Sequence, residues 1–161
     1  MPPDPALTSA ELAATNSGES EVMTSSPLAP AGWRYALGDE IGHGGMGVVY
    51  RAADATFKRE VAVKVLHAKF GADSGAARRF ADEARITGQL QHPAIPPVHD
   101  LGTLPDGRPF LAMKLIRGRT LDELLSERPD LGHDRGRFVA AFEAVCQAVA
   151  YAHSHNVIHR D

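Results

Sequence analysis

The chain has 161 residues, of which 43% are hydrophobic and 23% charged, as in an ordinary globular domain. A formal net charge of −3 provides no basic excess, so we expect no nucleic-acid partner. The single cysteine, Cys146, excludes an internal disulfide, and no stretch reaches the ~18 uninterrupted apolar residues of a spanning helix. These features predict a cytoplasmic protein without a membrane segment.

Residues 1–34 are predicted to form a disordered N-terminal tail, because prolines punctuate a run of Ala, Ser, Thr and Glu with few apolar residues. Alternating and β-branched residues then predict strands at 35–41, 48–53, 60–66, 97–102 and 109–115. Apolar residues at helical spacing predict a helix over 75–90.

Two further helices follow the last strand. Thr120 and Glu123 form a capping-box pattern at the start of the first. The second is predicted from an apolar stripe formed by Phe138, Phe142, Val145, Val149 and Ala152. The order is therefore three strands, a helix, two strands and two helices.

The pattern G-x-G-x-x-G at residues 42–47 lies between two predicted strands. In a dinucleotide-binding fold a helix follows the last glycine, whereas here Val48 begins a strand. A Walker loop would need Lys and then Ser or Thr after Gly47, so it is excluded as well. Two interpretations stay open: a plain glycine hairpin, or a flap whose backbone approaches phosphate closely because glycine lacks a Cβ.

Lys64 lies on an otherwise apolar strand and points away from the face of Val63 and Val65. Burying an ammonium group without a partner costs several kcal/mol, roughly, so an acidic partner is expected. Glu83 on the following helix is the candidate. The alternative is a surface lysine on an edge strand and an unrelated, solvated helix charge.

Together with the glycine pattern and Glu83, two further motifs follow the order of the protein-kinase family: V-A-V-K at 61–64 and His159-Arg160-Asp161 at the end of the chain. Over residues 35–161 the chain resembles the bacterial Ser/Thr protein kinases of eukaryotic type. The resemblance implies an α+β fold: a small lobe over 35–115, with a five-stranded antiparallel sheet and one helix, then the hinge and first two large-lobe helices over 116–161.

The resemblance also implies roles for single residues. The flap would cover the phosphates of ATP, Lys64 would hold the α- and β-phosphates, and Glu83 would orient Lys64. Asp161 would accept the proton of a protein Ser or Thr hydroxyl, and Arg160 would bind a phosphorylated activation loop. The full set expected to contact the nucleotide is Ile41, Gly42, His43, Gly44, Gly45, Met46, Gly47, Val49, Ala62, Lys64, Met113, Lys114 and Leu115, with Ile116 completing the hinge.

The Mg²⁺ ligands of the family, an asparagine and the D-F-G aspartate, are expected after Asp161, so no metal ligand is assigned within residues 1–161. We therefore expect these residues alone to be inactive and to represent part of a longer kinase. The alternatives are a non-catalytic nucleotide-binding or interaction module, and the product of a truncated gene. A small-molecule phosphotransferase is disfavoured, because those relatives usually carry glycine where Arg160 stands.

Overall fold

The computed structural model describes residues 32–159, so residues 1–31 of the predicted tail lie outside the described part. The described elements occur in the predicted order, and where bounds were predicted the ends agree to within two residues. They are β1 (Tyr35–His43), β2 (Gly47–Asp54), β3 (Arg59–Leu66), α1 (Gly75–Gln89), β4 (Val98–Thr103), β5 (Pro109–Lys114), α2 (Leu121–Ser126) and α3 (Arg135–Ser154).

The five strands form one antiparallel sheet in the order β1-β2-β3-β5-β4, which confirms the predicted fold class. Side chains alternate along β3. Val61, Val63 and Val65 point to one face, and Ala62 and Lys64 point to the other. The β3 side chains on one face of the sheet are therefore all apolar, and those on the other face include the charged lysine.

The face of the sheet that carries Val61, Val63 and Val65 is covered by residues at and just before the start of β1. Trp33 and Tyr35 contact the Phe110 ring edge-on, with centroid separations of 5.0 and 5.8 Å. Trp33 and Arg34, which we had assigned to the disordered tail, are therefore part of the folded lobe. Their aromatic and charged side chains have partners in the sheet that a local reading of the sequence cannot show.

Arg34 holds its place through Asp54, the buried last residue of β2. Its Nε and Nη2 atoms each donate to one Asp54 carboxylate oxygen at 2.9 Å, and the Thr56 amide donates to the same carboxylate at 3.1 Å. The Arg34 guanidinium holds the pKa of Asp54 well below its usual range. This bidentate pair fastens the start of β1 to the turn between β2 and β3.

Helix α1 covers the other face of the sheet. The Ser74 hydroxyl caps it by accepting from the Ala77 amide at 3.1 Å. The buried side of the helix presents Ala77, Phe80 and Ala84 to Leu66 and Leu111 of the sheet. This packing fixes the helix below β3 and so determines where Glu83 lies.

Helices α2 and α3 differ from the sheet and from α1 in burial, because none of their residues is buried. The predicted capping box of α2 is present: Thr120 Oγ1 accepts from the Glu123 amide, and the Glu123 carboxylate accepts from the Thr120 amide. The predicted stripe of α3 is helical, but its Phe142, Val145 and Val149 remain exposed. Within residues 32–159, no helix is long and apolar enough to cross a bilayer.

Candidate active site

The glycine-rich segment forms the tip of the β1–β2 hairpin, which we call the flap (residues 42–47). Gly42 pairs with Val49 in the ladder, and the Gly44 amide donates to the Gly47 carbonyl at 3.0 Å to close the turn. Gly44 and Gly45 are exposed at the tip. At Gly44 and Gly45 the flap therefore exposes backbone rather than side chains.

The fold requires glycine at only one end of this flap. A Cβ added at Gly47 would fall onto the Val65 carbonyl oxygen of β3, so this glycine permits close strand packing. A Cβ at Gly45 would meet nothing within 4 Å, and one at Gly44 would meet only the Gly47 carbonyl oxygen at 3.8 Å. The packing of the fold therefore does not require glycine at the two tip positions.

Lys64 and Glu83 meet below the flap. Lys64 Nζ lies 3.5 Å from Glu83 Oε1 and 5.6 Å from the centroid of the Phe80 ring. The Lys64 side chain is 25% exposed and the Glu83 side chain 59% exposed. An ion pair this open to water contributes at most about 1 kcal/mol to stability. Stabilisation is therefore a weak reason for a lysine on this strand.

Apolar side chains lie beside Lys64 on the same face. The register pairs Val49 with Lys64 across β2 and β3, and Ala62 with Met113 across β3 and β5. Ala62 is buried and Met113 half-buried, whereas Ile41 at the start of the flap is exposed. Together these residues form an apolar strip that runs from below the flap to the end of β5.

The backbone at the end of β5 is only partly free. The Lys114 amide donates to the Pro97 carbonyl at 3.0 Å, so it is occupied within the protein. Of the two residues that follow, Leu115 is half-buried and Ile116 is exposed. The Lys114 amide is therefore excluded from the predicted hinge contact over Lys114–Ile116. The backbone groups that follow this amide remain in the prediction.

The sequence profile of the protein kinase domain matches residues 35–161, which is most of the chain. The chain belongs to the protein kinase family. It is 40% identical over 127 residues to the serine/threonine-protein kinase PknH of Mycobacterium bovis, a match that covers 79% of this chain and 21% of PknH. It is 39% identical over 139 residues to the DNA damage-responsive serine/threonine-protein kinase RqkA of Deinococcus radiodurans, covering 84% and 20% respectively.

Solved structures agree with this membership. The PknI kinase domain of Mycobacterium tuberculosis superposes with a TM-score of 0.63 at 32% identity, over 80% of this chain and 51% of the PknI kinase-domain chain. The apo form of PpkA-294 has a TM-score of 0.65 at 23% identity and shares the fold. The predicted likeness to bacterial Ser/Thr kinases of eukaryotic type is confirmed. The chain spans about a fifth of the length of the curated kinases that it matches.

Two features of this kinase site have no signal in the sequence. His67, just after β3, contacts the flap: its amide donates to the Met46 carbonyl at 3.0 Å, and its Nε2 lies 2.8 Å from the Gly44 oxygen. Arg117, just after the hinge, pairs with Glu60 of β3. These contacts join residues more than 20 positions apart in the chain, and neither His67 nor Glu60 lies in a recognisable motif.

The remaining predicted residues are placed less completely. Asp161 and Arg160 lie outside the described residues, and His159 is the last residue described. His43 is exposed, its Nδ1 lies 3.1 Å from Glu40 Oε1, and its ring centroid lies 4.8 Å from that of His67. Within residues 32–159, no group of three or more His, Cys, Asp or Glu side chains could hold a metal ion.

Proposed function

We propose that this chain is the nucleotide-holding part of a Ser/Thr protein kinase, which transfers the γ-phosphate of ATP to a protein hydroxyl. The observation that carries the proposal is the Lys64–Glu83 pair below the flap. An ammonium group has three donors, and Glu83 occupies one side of it, so donors remain for an anionic ligand. The open tip glycines supply the second half of a phosphate site.

The apolar strip completes the fit to ATP. Val49 and Ala62, which lie on the same face of the sheet, would cover the adenine ring from above, with Met113 at the back of the pocket. The phosphates would then extend towards Lys64, which shares a register position with Val49. The strip would supply the apolar contact that nucleotide bases favour, and the flap and Lys64 would supply the charge-matched end.

In the proposed reaction, the substrate hydroxyl oxygen attacks the γ-phosphorus, and the bond between that phosphorus and the β–γ bridging oxygen breaks. ADP leaves with that oxygen, and the hydroxyl proton passes to the carboxylate proposed for this role, Asp161. Lys64 and Glu83 position the phosphates and take no proton. A hydroxyl-bearing protein is thus the proposed partner.

Magnesium would neutralise charge on the phosphates in a kinase of this family. The described residues provide no side-chain cluster for it, so no step is assigned to the metal. We accordingly propose that residues 1–161 by themselves bind nucleotide without useful turnover. Phosphate transfer to a protein acceptor by this chain, abolished by Lys64→Met, would overturn that part of the proposal.

The test of nucleotide binding compares ATP with adenosine, using titration calorimetry on the 161-residue chain. Lys64→Met removes the ammonium and keeps the length of the side chain. It should lower ATP affinity by about tenfold or more, because a charge-assisted contact worth roughly 1.5–3 kcal/mol is lost. Adenosine, which has no phosphate, should bind with unchanged affinity.

Lys58→Met is the matched control, because Lys58 lies in the turn between β2 and β3 and the charge change is identical. It should leave both affinities unchanged. An equal loss of ATP affinity in the two variants would mean that net charge, rather than a site at Lys64, attracts the nucleotide. Failure of the wild-type chain to bind ATP would refute the proposed site.

A further inference from the structure

His67, the residue after β3, makes two contacts with the flap. Its backbone extends the β2–β3 ladder by one bond, from the His67 amide to the Met46 carbonyl at 3.0 Å. Its ring adds a second bond, because Nε2 lies 2.8 Å from the Gly44 carbonyl oxygen. A carbonyl oxygen can only accept, so the ring nitrogen is the donor and carries the proton.

The contact of the His67 ring with Gly44 is important because Gly44 and Gly45 make few other contacts with the rest of the fold. Gly44 and Gly45 have no side chains to pack, and the turn is otherwise closed by the bond from the Gly44 amide to the Gly47 carbonyl. Met46 is anchored separately, since it packs against the apolar cluster beneath α1. The Gly44–Gly45 peptide would rotate readily without His67.

Fixing one carbonyl also fixes the next amide. In a trans peptide the C=O and N–H groups point in opposite directions, and the structure has no cis peptide among the described residues. Holding the Gly44 carbonyl towards His67 therefore turns the Gly45 N–H away from it. The carbonyl, which would repel phosphate, is occupied, and the donor is presented on the other side of the flap.

We propose that His67 is a positioning residue of the flap: its Nε2–H fixes the Gly44–Gly45 peptide so that the flap presents a donor to the phosphates of bound ATP. The inference rests on the proposed function. The Nε2–H donor exists both in one neutral tautomer and in the imidazolium ion, so the contact does not require a charged ring. His43 Nδ1 faces Glu40 and its ring faces the His67 ring at a centroid distance of 4.8 Å, which limits movement of the His67 ring.

Two variants that carry a side-chain amide separate the length of the residue-67 side chain from its ability to donate a hydrogen bond. His67→Gln carries an N–H at about the distance of the imidazole Nε2, and His67→Asn carries the same group one methylene shorter. His67→Ala removes the donor. Each variant of the 161-residue chain is titrated with ATP and with adenosine. Exchange of the Gly44 amide hydrogen, which is bonded to the Gly47 carbonyl, is measured by NMR without nucleotide.

We expect His67→Gln to stay within about twofold of wild type in every measurement. His67→Asn and His67→Ala should lower ATP affinity about three- to tenfold, the range for one hydrogen bond, and change adenosine affinity by less than about twofold. Exchange of the Gly44 amide should be faster in these two variants, because the turn closed by its bond to the Gly47 carbonyl is held less firmly. A phosphate-dependent loss is the result that a purely structural role would not produce.

The outcomes separate this inference from the function on which it rests. Equal losses for ATP and adenosine, or unchanged ATP affinity in His67→Ala, would overturn the positioning role while nucleotide binding by the wild-type chain stands. A wild-type chain that binds neither compound would refute the proposed function, and the phosphate role of His67 with it. Loss in His67→Gln equal to that in His67→Ala would also overturn the role of the donor.

Discussion

The sheet lobe (residues 32–115) and the helical segment (residues 121–154) contain the same kinds of apolar residues and treat them in opposite ways. In the sheet lobe, Val61, Val63 and Leu66 are fully buried. In the helical segment, Leu131 is 77% exposed and Phe142 64% exposed. An amphipathic pattern thus predicts a helix correctly in both regions, but burial depends on whether a second surface covers the apolar side.

The lobe supplies that second surface itself. Its strands are joined in register, so each inward side chain has fixed neighbours, and α1 closes the face that carries Leu66 and Leu111. Helix α3 is tied to the lobe at Tyr151, whose hydroxyl accepts from the Gln91 amide at 3.1 Å and whose ring lies against His92. We therefore expect most of the free energy of unfolding to come from packing within the sheet lobe.

The sharpest test of this comparison is one substitution made twice. Leu66→Ala should destabilise the chain by about 2–5 kcal/mol, because it leaves a cavity between β3 and α1. Leu131→Ala removes the same atoms from an exposed position and should change stability by less than about 0.5 kcal/mol. Urea denaturation followed by far-UV circular dichroism measures both. Similar effects of the two changes would show that the regions do not differ in this way.

A second pair of variants extends the comparison to the flap, where a smaller effect is expected. Gly47→Ala places a Cβ against the Val65 carbonyl, and the resulting overpacking should cost about 1–3 kcal/mol. Gly45→Ala adds the same methyl group to open space, so stability should stay within about 0.5 kcal/mol of wild type. The urea denaturation midpoints of the two variants, compared with that of the wild type, measure these effects. A large loss from Gly45→Ala would mean that the tip glycines serve folding after all.

The contrast between these regions also explains how far the sequence could predict the fold. Strand and helix periods depend on neighbours two to four residues away, so β3 and α1 were predictable to within a residue or so. The packing of Trp33 and Arg34 was not, because it depends on Phe110 and Asp54, which lie far along the chain.

The residues of the candidate site likewise fall into those that the sequence could predict and those that it could not. Lys64 was predictable because a charge on an apolar strand demands a partner, and Glu83 is the acidic residue that α1 places 3.5 Å away. His67 was not, since its contact with Gly44 spans 23 residues and a histidine after a strand is unremarkable in sequence. Sequence motifs thus identify the proposed chemical groups, whereas the groups that hold them in place emerge from long-range contacts.

The smallest effect is expected where stability is local. Helix α2 has six residues and none is buried, so its capping box is the main local feature that favours it. Thr120→Ala removes the hydroxyl that accepts from the Glu123 amide and should destabilise the helix itself by about 1 kcal/mol. Amide exchange in α2 should then rise about fivefold, whereas the denaturation midpoint of the sheet lobe should not move. A shift of that midpoint comparable to the Gly47→Ala shift would show that α2 and the sheet unfold together, and the two regions would then have to be treated as one cooperative unit.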